Sequence, residues 1–196
     1  IEIRVAVKDV ATGVERVVWK AMGSTAQVNL ATGGAVSFGD SFKGAPVISA
    51  TLEGDLVVGF TATARLEIFS PLGEALRSIS LDIPAVPIRP EHVDRFRNSR
   101  LEESDRDGSP NSMRAALAKA DFATFFGAVL PFYRDLRVDS EGNFLIFLLD
   151  EEFGKGPILM AAYSPQGRPI GRFELKPGAF ELEIDRRFRK LAFSSS

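Results

Sequence analysis

Histidine is the side chain best suited to moving protons near neutral pH, and this 196-residue chain has one, His92. One imidazole excludes a multi-histidine metal site and leaves a single candidate base for a serine nucleophile. No Gly-x-Ser-x-Gly elbow is present to use it. Ser37 and Ser41 stand near glycines, but in strand-and-turn surroundings. Pro90 and Glu91 mark a helix start, so His92 is expected on the exposed first turn of a helix, beside Glu91. The chain has no cysteine, which excludes a disulfide framework, a thiolate metal site and a cysteine nucleophile.

Carboxylates offer a second kind of chemistry. Glu102, Glu103, Asp105 and Asp107 form an acidic run, and Asp105-Arg106-Asp107-Gly108 has the look of a calcium loop. It lacks the regular oxygen donors and the closing bidentate Glu of an EF-hand, so it reads as a solvated helix end. Asp139, Glu141 and Asn143 also gather oxygens. They surround a Gly142 turn whose counterpart is Glu53-Gly54-Asp55, and that regular placement points to turn chemistry. These residues predict no metal site and no cofactor.

Arg186, Arg187, Arg189 and Lys190 enclose Phe188 in the one dense basic cluster. Alternate strand residues face opposite ways, so the cluster reads as a solvated turn rather than a phosphate site. Lys and Arg total 24 against 26 Asp and Glu, a net charge of -2. Such a chain has no general field to hold nucleic acid or an anionic membrane surface. No apolar run approaches the roughly 18–20 residues of a membrane-spanning helix. The aromatic run Phe122, Phe125, Phe126, Phe132, Tyr133 has two readings: a packed anchor, or an exposed apolar patch that recognises a partner. On the second reading Phe122, Phe125, Phe126 and Tyr133 are the candidate partner-binding residues. No catalytic set emerges.

The elements around these residues are mostly strands. Hydrophobic residues make up 45% and charged ones 26%, a globular composition. Residues 1–7 alternate strictly, 9–13 form a turn and 14–19 return. A second hairpin is predicted over 27–38. Strand-like runs continue at 46–52, 55–60, 64–69 and 74–81, then at 135–138, 143–149, 158–163 and 168–175. A last pair is expected at 179–184 and 189–193. Between the two series lies a stretch of different kind, about 90–127. There Val93, Phe96 and Leu101, then Met113, Ala116, Leu117 and Ala120, recur at helical spacing on either side of a polar break at 104–111. The expectation is a two-helix insert.

The two series form a repeat. In both, an acid-Gly turn joins the first two strands and Ser-Pro-x-Gly joins the last two. Gly142 lies 88 positions after Gly54, and Gly167 lies 94 after Gly73. Allowing about 40 residues for the insert, the interval approaches the 40–50 of a propeller blade. A partial third copy spans 7–15. A four-stranded sheet alone leaves two apolar faces bare, and radial packing of several buries them. The fold class predicted is therefore all-β: β-propeller blades of four-stranded antiparallel sheets, one propeller region over 1–196. An ordinary β-sandwich is the rival.

Leu136-Arg137-Val138-Asp139-Ser140-Glu141-Gly142-Asn143-Phe144-Leu145-Ile146, with Tyr163-Ser164-Pro165-Gln166-Gly167 after it, resembles blades of the NHL-like six-bladed β-propellers. More narrowly, the chain is similar to a bacterial group of 6-bladed β-propeller proteins in which such a blade is followed by a charged helical excursion. The resemblance covers about 37–196 and lies in turn motifs. Six blades need roughly 250–300 residues, so the expectation is a partial propeller with further blades upstream or on another chain. The repeat, with no catalytic set beside it, leads to the expectation of a non-enzymatic interaction or scaffold module that binds a protein or other ligand through a propeller face or the helical insert; the resemblance implies an extracytoplasmic location. Two alternatives are a lactonase-type hydrolase with central calcium, its site lying partly in other blades, and a subunit that assembles with copies of itself through open strand edges.

Overall fold

The computed structural model describes residues 2–8, 12–22, 26–29, 35–38, 42–109, 111–149 and 157–175. The alternating first segment forms β1 (Glu2–Lys8), paired antiparallel with β2 (Glu15–Met22). A second hairpin joins β3 (Ala26–Asn29) to β4 (Ala35–Phe38). Then β5 (Pro46–Ala50), β6 (Leu56–Phe60), β7 (Arg65–Phe69) and β8 (Ala75–Ser80) form a four-stranded meander. A second meander is built from β9 (Tyr133–Val138), β10 (Phe144–Leu148), β11 (Ile158–Tyr163) and β12 (Pro169–Leu175). All these pairings are antiparallel, and the sheets are open rather than closed on themselves. The fold is all-β with a helical insertion. The hairpin expected over 179–193, with the basic cluster in it, and Ser41 lie outside the described residues.

The repeat is built by one turn used four times. Its first residue is Thr51, Ser70, Asp139 or Ser164. The amide of that residue donates to the carbonyl four positions on. The glycine three positions on donates back to its carbonyl, and the amide after the glycine donates to its side-chain oxygen. All twelve distances fall at 2.8–3.1 Å. Gly54, Gly73, Gly142 and Gly167 take φ of +78° to +88°, a region that penalises any residue with a Cβ. The second hairpins also share an irregularity: the register shifts between Ile68 and Phe69, and at the equivalent Ala162 and Tyr163.

Three of the four sheets stack, with β5–β8 between the β1–β2 hairpin and β9–β12. One face of β5–β8 carries Val58 and Phe69, which pack with Val5, Val18 and Trp19 of the β1–β2 hairpin. Its other face carries Val57, Leu66, Ile68 and Ile79, which pack with Leu136, Val138, Phe144, Ile146 and Tyr163 of β9–β12. A sheet covered on both sides reads as a continuous apolar run, as Leu56-Val57-Val58-Gly59-Phe60 does. The last turn of each meander abuts the preceding layer: a Cβ on Gly73 would strike Val18, and one on Gly167 would strike Ile79. Between the two meanders the backbones approach closely along the first strands, β5 and β9, and no other pair of their strands does so to the same extent.

The insert holds α1 (Pro90–Arg106), α2 (Asn111–Lys119) and a 3-10 turn (Phe122–Phe125). The first helix runs further than the sequence predicts, into the expected polar break. Arg100 pairs with Glu103 at 2.7 Å, and Arg114 of α2 reaches Asp105 at 2.9 Å, so the charges decorate a helix instead of ending it. The insert is closed by a neck. Leu130 N–H donates to the Val86 carbonyl at 2.8 Å, and Ile88 N–H donates to the Ala128 carbonyl at 3.2 Å. No helix among the described residues is long and apolar enough to cross a membrane.

Candidate functional site

Helix α1 is mostly polar, so its attachment rests on a few side chains. Phe96 sits at the centre. Phe42 meets it edge-on at 4.8 Å, Phe122 at 5.6 Å and Phe126 at 5.8 Å. Phe42 also stacks on Phe126 at 4.7 Å, with ring planes 7° apart. Edge-on and offset arrangements suit the ring quadrupoles. Leu117 and Leu130 complete this core, with Val93, Leu101 and Met113 at its margin. The guanidinium of Arg100 lies 5.0 Å from the Phe96 ring centre and that of Arg97 lies 5.8 Å from the Phe122 ring centre, so both arginines cover aromatic faces from the solvent side.

This geometry corrects the expectation of an exposed aromatic patch. Phe122, Phe125, Phe126 and Tyr133 are 0%, 2%, 6% and 0% exposed. The first three are the anchor of the insert. Tyr133 belongs to the core between the meanders: its hydroxyl occupies the space that a Cβ on Gly59 would fill and donates to the Arg65 carbonyl at 3.2 Å. Burial raises the Tyr133 phenol well above its ordinary value.

His92 is also placed differently from its expected exposed position. It is 2% exposed, and its Nδ1 accepts the Arg89 backbone N–H at 3.1 Å. An imidazole at the third helical position thus does what Glu or Gln does in a capping box. It serves the helix start.

The oxygen-rich residues satisfy one another. Asp139 Oδ1 accepts from the amides of Glu141 and Asn143 at 2.8 Å, and the Asn143 amide group donates to Asp139 Oδ2 at 3.0 Å. Asp94 pairs with Arg97 at 2.9 Å. Among the described residues, no three His, Asp or Glu side chains are grouped to hold a metal ion. Ser37 lies on β4. The structure therefore brings together the aromatic anchor and the helices it holds, and leaves the other candidates dispersed. Phe42 is the residue that sequence reasoning missed. It lies alone between turns, with no periodic neighbour to mark it.

Above the anchor, Glu91, Asp94, Arg95, Asn98 and Glu102 are exposed along α1. Their spacing of three and four places them on one helical face. This face is charged and hydrophilic, and it stands on a rigid aromatic base.

No family model matches the chain, and no curated protein matches it. Among solved structures it is similar to a protein of unknown function from Bacteroides caccae, at 10% identity and a TM-score of 0.36, over 88% of this chain and 54% of that one. The chain spans about half the length of that protein. At this score the likeness does not define the fold.

Proposed function

We propose that this chain is part of an NHL-like β-propeller acting as a non-enzymatic interaction module, with the outer face of α1 as its recognition surface. The observation that carries the array is the stack: the β5–β8 sheet is covered on one face by the β1–β2 hairpin and on the other by β9–β12, with β5 and β9 drawn together. Sheets that converge along one edge are wedges, and wedges packed in sequence turn about an axis. The insert leaves this array at the joint between two sheets. With the rings buried beneath it, what the insert offers a protein partner is the charged face of Glu91, Asp94 and Glu102. Complementary charge at such a rim governs encounter and partner choice.

The test is affinity capture with the chain and with the triple variant Glu91→Lys, Asp94→Lys, Glu102→Lys. These side chains are exposed, so circular dichroism should keep its form; melting should fall only slightly, because Asp94 gives up its pair with Arg97 and lysines oppose the dipole of the helix start. The expected result is loss of a protein that the unaltered chain captures. An identical set of captured proteins for both chains overturns the reading.

A further inference from the structure

We propose that Asp107-Gly108, at the end of α1, is a self-modification site, where the aspartyl side chain closes on the following amide and reopens as an isoaspartyl link. The Gly108 backbone nitrogen attacks the Asp107 side-chain carboxyl carbon. A bond forms between them, the nitrogen gives up its proton, and that proton leaves with a carboxyl oxygen as water. Hydrolysis of the cyclic imide then returns a water. If it opens at the main-chain carbonyl, the chain runs on through the side-chain carbons of residue 107.

This closure needs an uncrowded nitrogen, a carboxyl that is free to turn and a backbone that can open. Asp107-Gly108 is the one aspartate–glycine pair in the sequence. Glycine has no side chain to hinder the approach, and a Cβ built on Gly108 would meet nothing within 4 Å. The Asp107 side chain is 60% exposed, and its ion pair with Arg106 Nε is a long 3.6 Å. The helix ends in a Schellman closure. Ser109 N–H donates to the Ser104 carbonyl at 3.0 Å, and Gly108 N–H donates to the Asp105 carbonyl at 3.3 Å. The reacting nitrogen is held by the longer of these two bonds. Asp107 sits at φ -83° and ψ 2°, so ψ must rotate before the nitrogen reaches the carboxyl carbon. The last turn of a helix opens for such a rotation more readily than its interior.

Asp139-Ser140 is the internal control. It too is an aspartate before a small residue in a turn. Its Oδ1 accepts from the amides of Glu141 and Asn143, and its Oδ2 accepts from the Asn143 side chain. A carboxylate held at both oxygens does not turn onto its own neighbour. Asn98-Ser99, the other kind of susceptible pair, lies within α1, where the helical ladder fixes the backbone. At 107 the isoaspartyl link adds a methylene to the main chain inside the Schellman closure, so both of its bonds are lost. Asp105, which reaches Arg114 of α2 at 2.9 Å, lies in the turn that frays. The modification therefore loosens the joint between the helices and leaves the Phe96 anchor in place.

The inference does not depend on partner recognition by α1. In the test, the folded full chain is aged at neutral pH in water enriched in heavy oxygen, then digested and weighed. A second sample is labelled by an isoaspartate-specific carboxyl methyltransferase. Both labels are expected in the peptide 107–114, at about ten times their level in the peptide that holds Asp139, because the helix end opens and the Asp139 turn stays closed. Equal labelling of the two peptides, or no methyl label at 107, overturns the inference. Asn111 lies in the same peptide, so a variant separates the two. Asp107→Glu keeps the exposed charge but would have to close a larger, slower ring, and it should remove the methyl label from that peptide. A label that persists in the variant overturns the assignment to Asp107. In the aged chain, amide exchange at Gly108 and Ser109 should be about tenfold faster, with the sheets unchanged; unchanged exchange at those two amides overturns the loosened joint.

Discussion

Between the two meanders the core is largely aliphatic, with Val57, Leu66, Ile68, Ile79, Leu136, Val138 and Ile146 in contact; under the helices it is a group of phenylalanines around Phe96. Branched aliphatic side chains alternate on a pleated surface and come into register because the turns set it. The helices have no ladder to set their position. A few large rings, each meeting several others, do that work instead. The sheet core is thus spread over many modest contributions, and the insert core is concentrated in a few.

That contrast can be broken by substitution. Phe96→Ala should cost about 4 kcal/mol at its own site and release the helices while the sheets keep slow amide exchange. Ile146→Ala should cost about 3 kcal/mol and lower the midpoint of the main urea transition. If both variants accelerate exchange in the same amides, the two cores are one cooperative unit and the contrast fails.

A smaller effect separates strain from crowding. Gly167 and Gly108 both have positive φ, +83° and +63°, but a Cβ on Gly167 strikes Ile79 whereas one on Gly108 meets nothing within 4 Å. Gly108→Ala should cost about 1 kcal/mol from the backbone alone, and Gly167→Ala about 3 kcal/mol with overpacking added. Equal losses in chemical denaturation would remove the last turn of the meander from the packing between layers.

Tyr133 gives a titratable version of the same test. Burial raises its phenol, so the unfolded chain ionises first as pH rises. The resulting stability is complete below the ordinary tyrosine value near 10 and declines above it. Tyr133→Phe should cost about 1 kcal/mol at neutral pH through the lost bond to the Arg65 carbonyl and lessen the alkaline decline. A decline as steep as in the unaltered chain would place its origin elsewhere, Tyr163 being the other raised phenol. The smallest expected effect is none at all: millimolar calcium should leave the melting temperature unchanged, because the Asp139 oxygens already bind the turn's own amides. A calcium-dependent rise would restore a metal role for that turn.

The sheets are largely legible in the sequence because their signals are local. Alternation marks strands such as 1–7, and a glycine with an acid or Ser-Pro before it marks each turn. The repeat of those turns gives Gly54 and Gly142 the same role on spacing alone. The register shifts after Ile68 and Ala162 leave no such mark, since a bulge depends on the partner strand. The site is less legible. Phe122, Phe125 and Phe126 read equally well as anchor or patch, because hydrophobicity says that a ring seeks cover without saying from what. His92 looks solvent-facing from Pro90 and Glu91, yet it is buried, with its ring turned back onto the Arg89 amide. Glu103 and Asp105 look like a break, and arginines one turn or one helix away hold them in order.

The neck formed by 86–88 and 128–130 has a further consequence. Because the chain departs from the sheets and rejoins them at one hydrogen-bonded point, what the strands ask of the insert is a closed loop and an apolar cover for Phe42, which stacks on Phe126. Such a joint is a socket: helices of another length, or a different small module with its own apolar underside, can be grafted there while the strands on either side keep their places. Variation would then fall on the cargo, and the scaffold would stay constant.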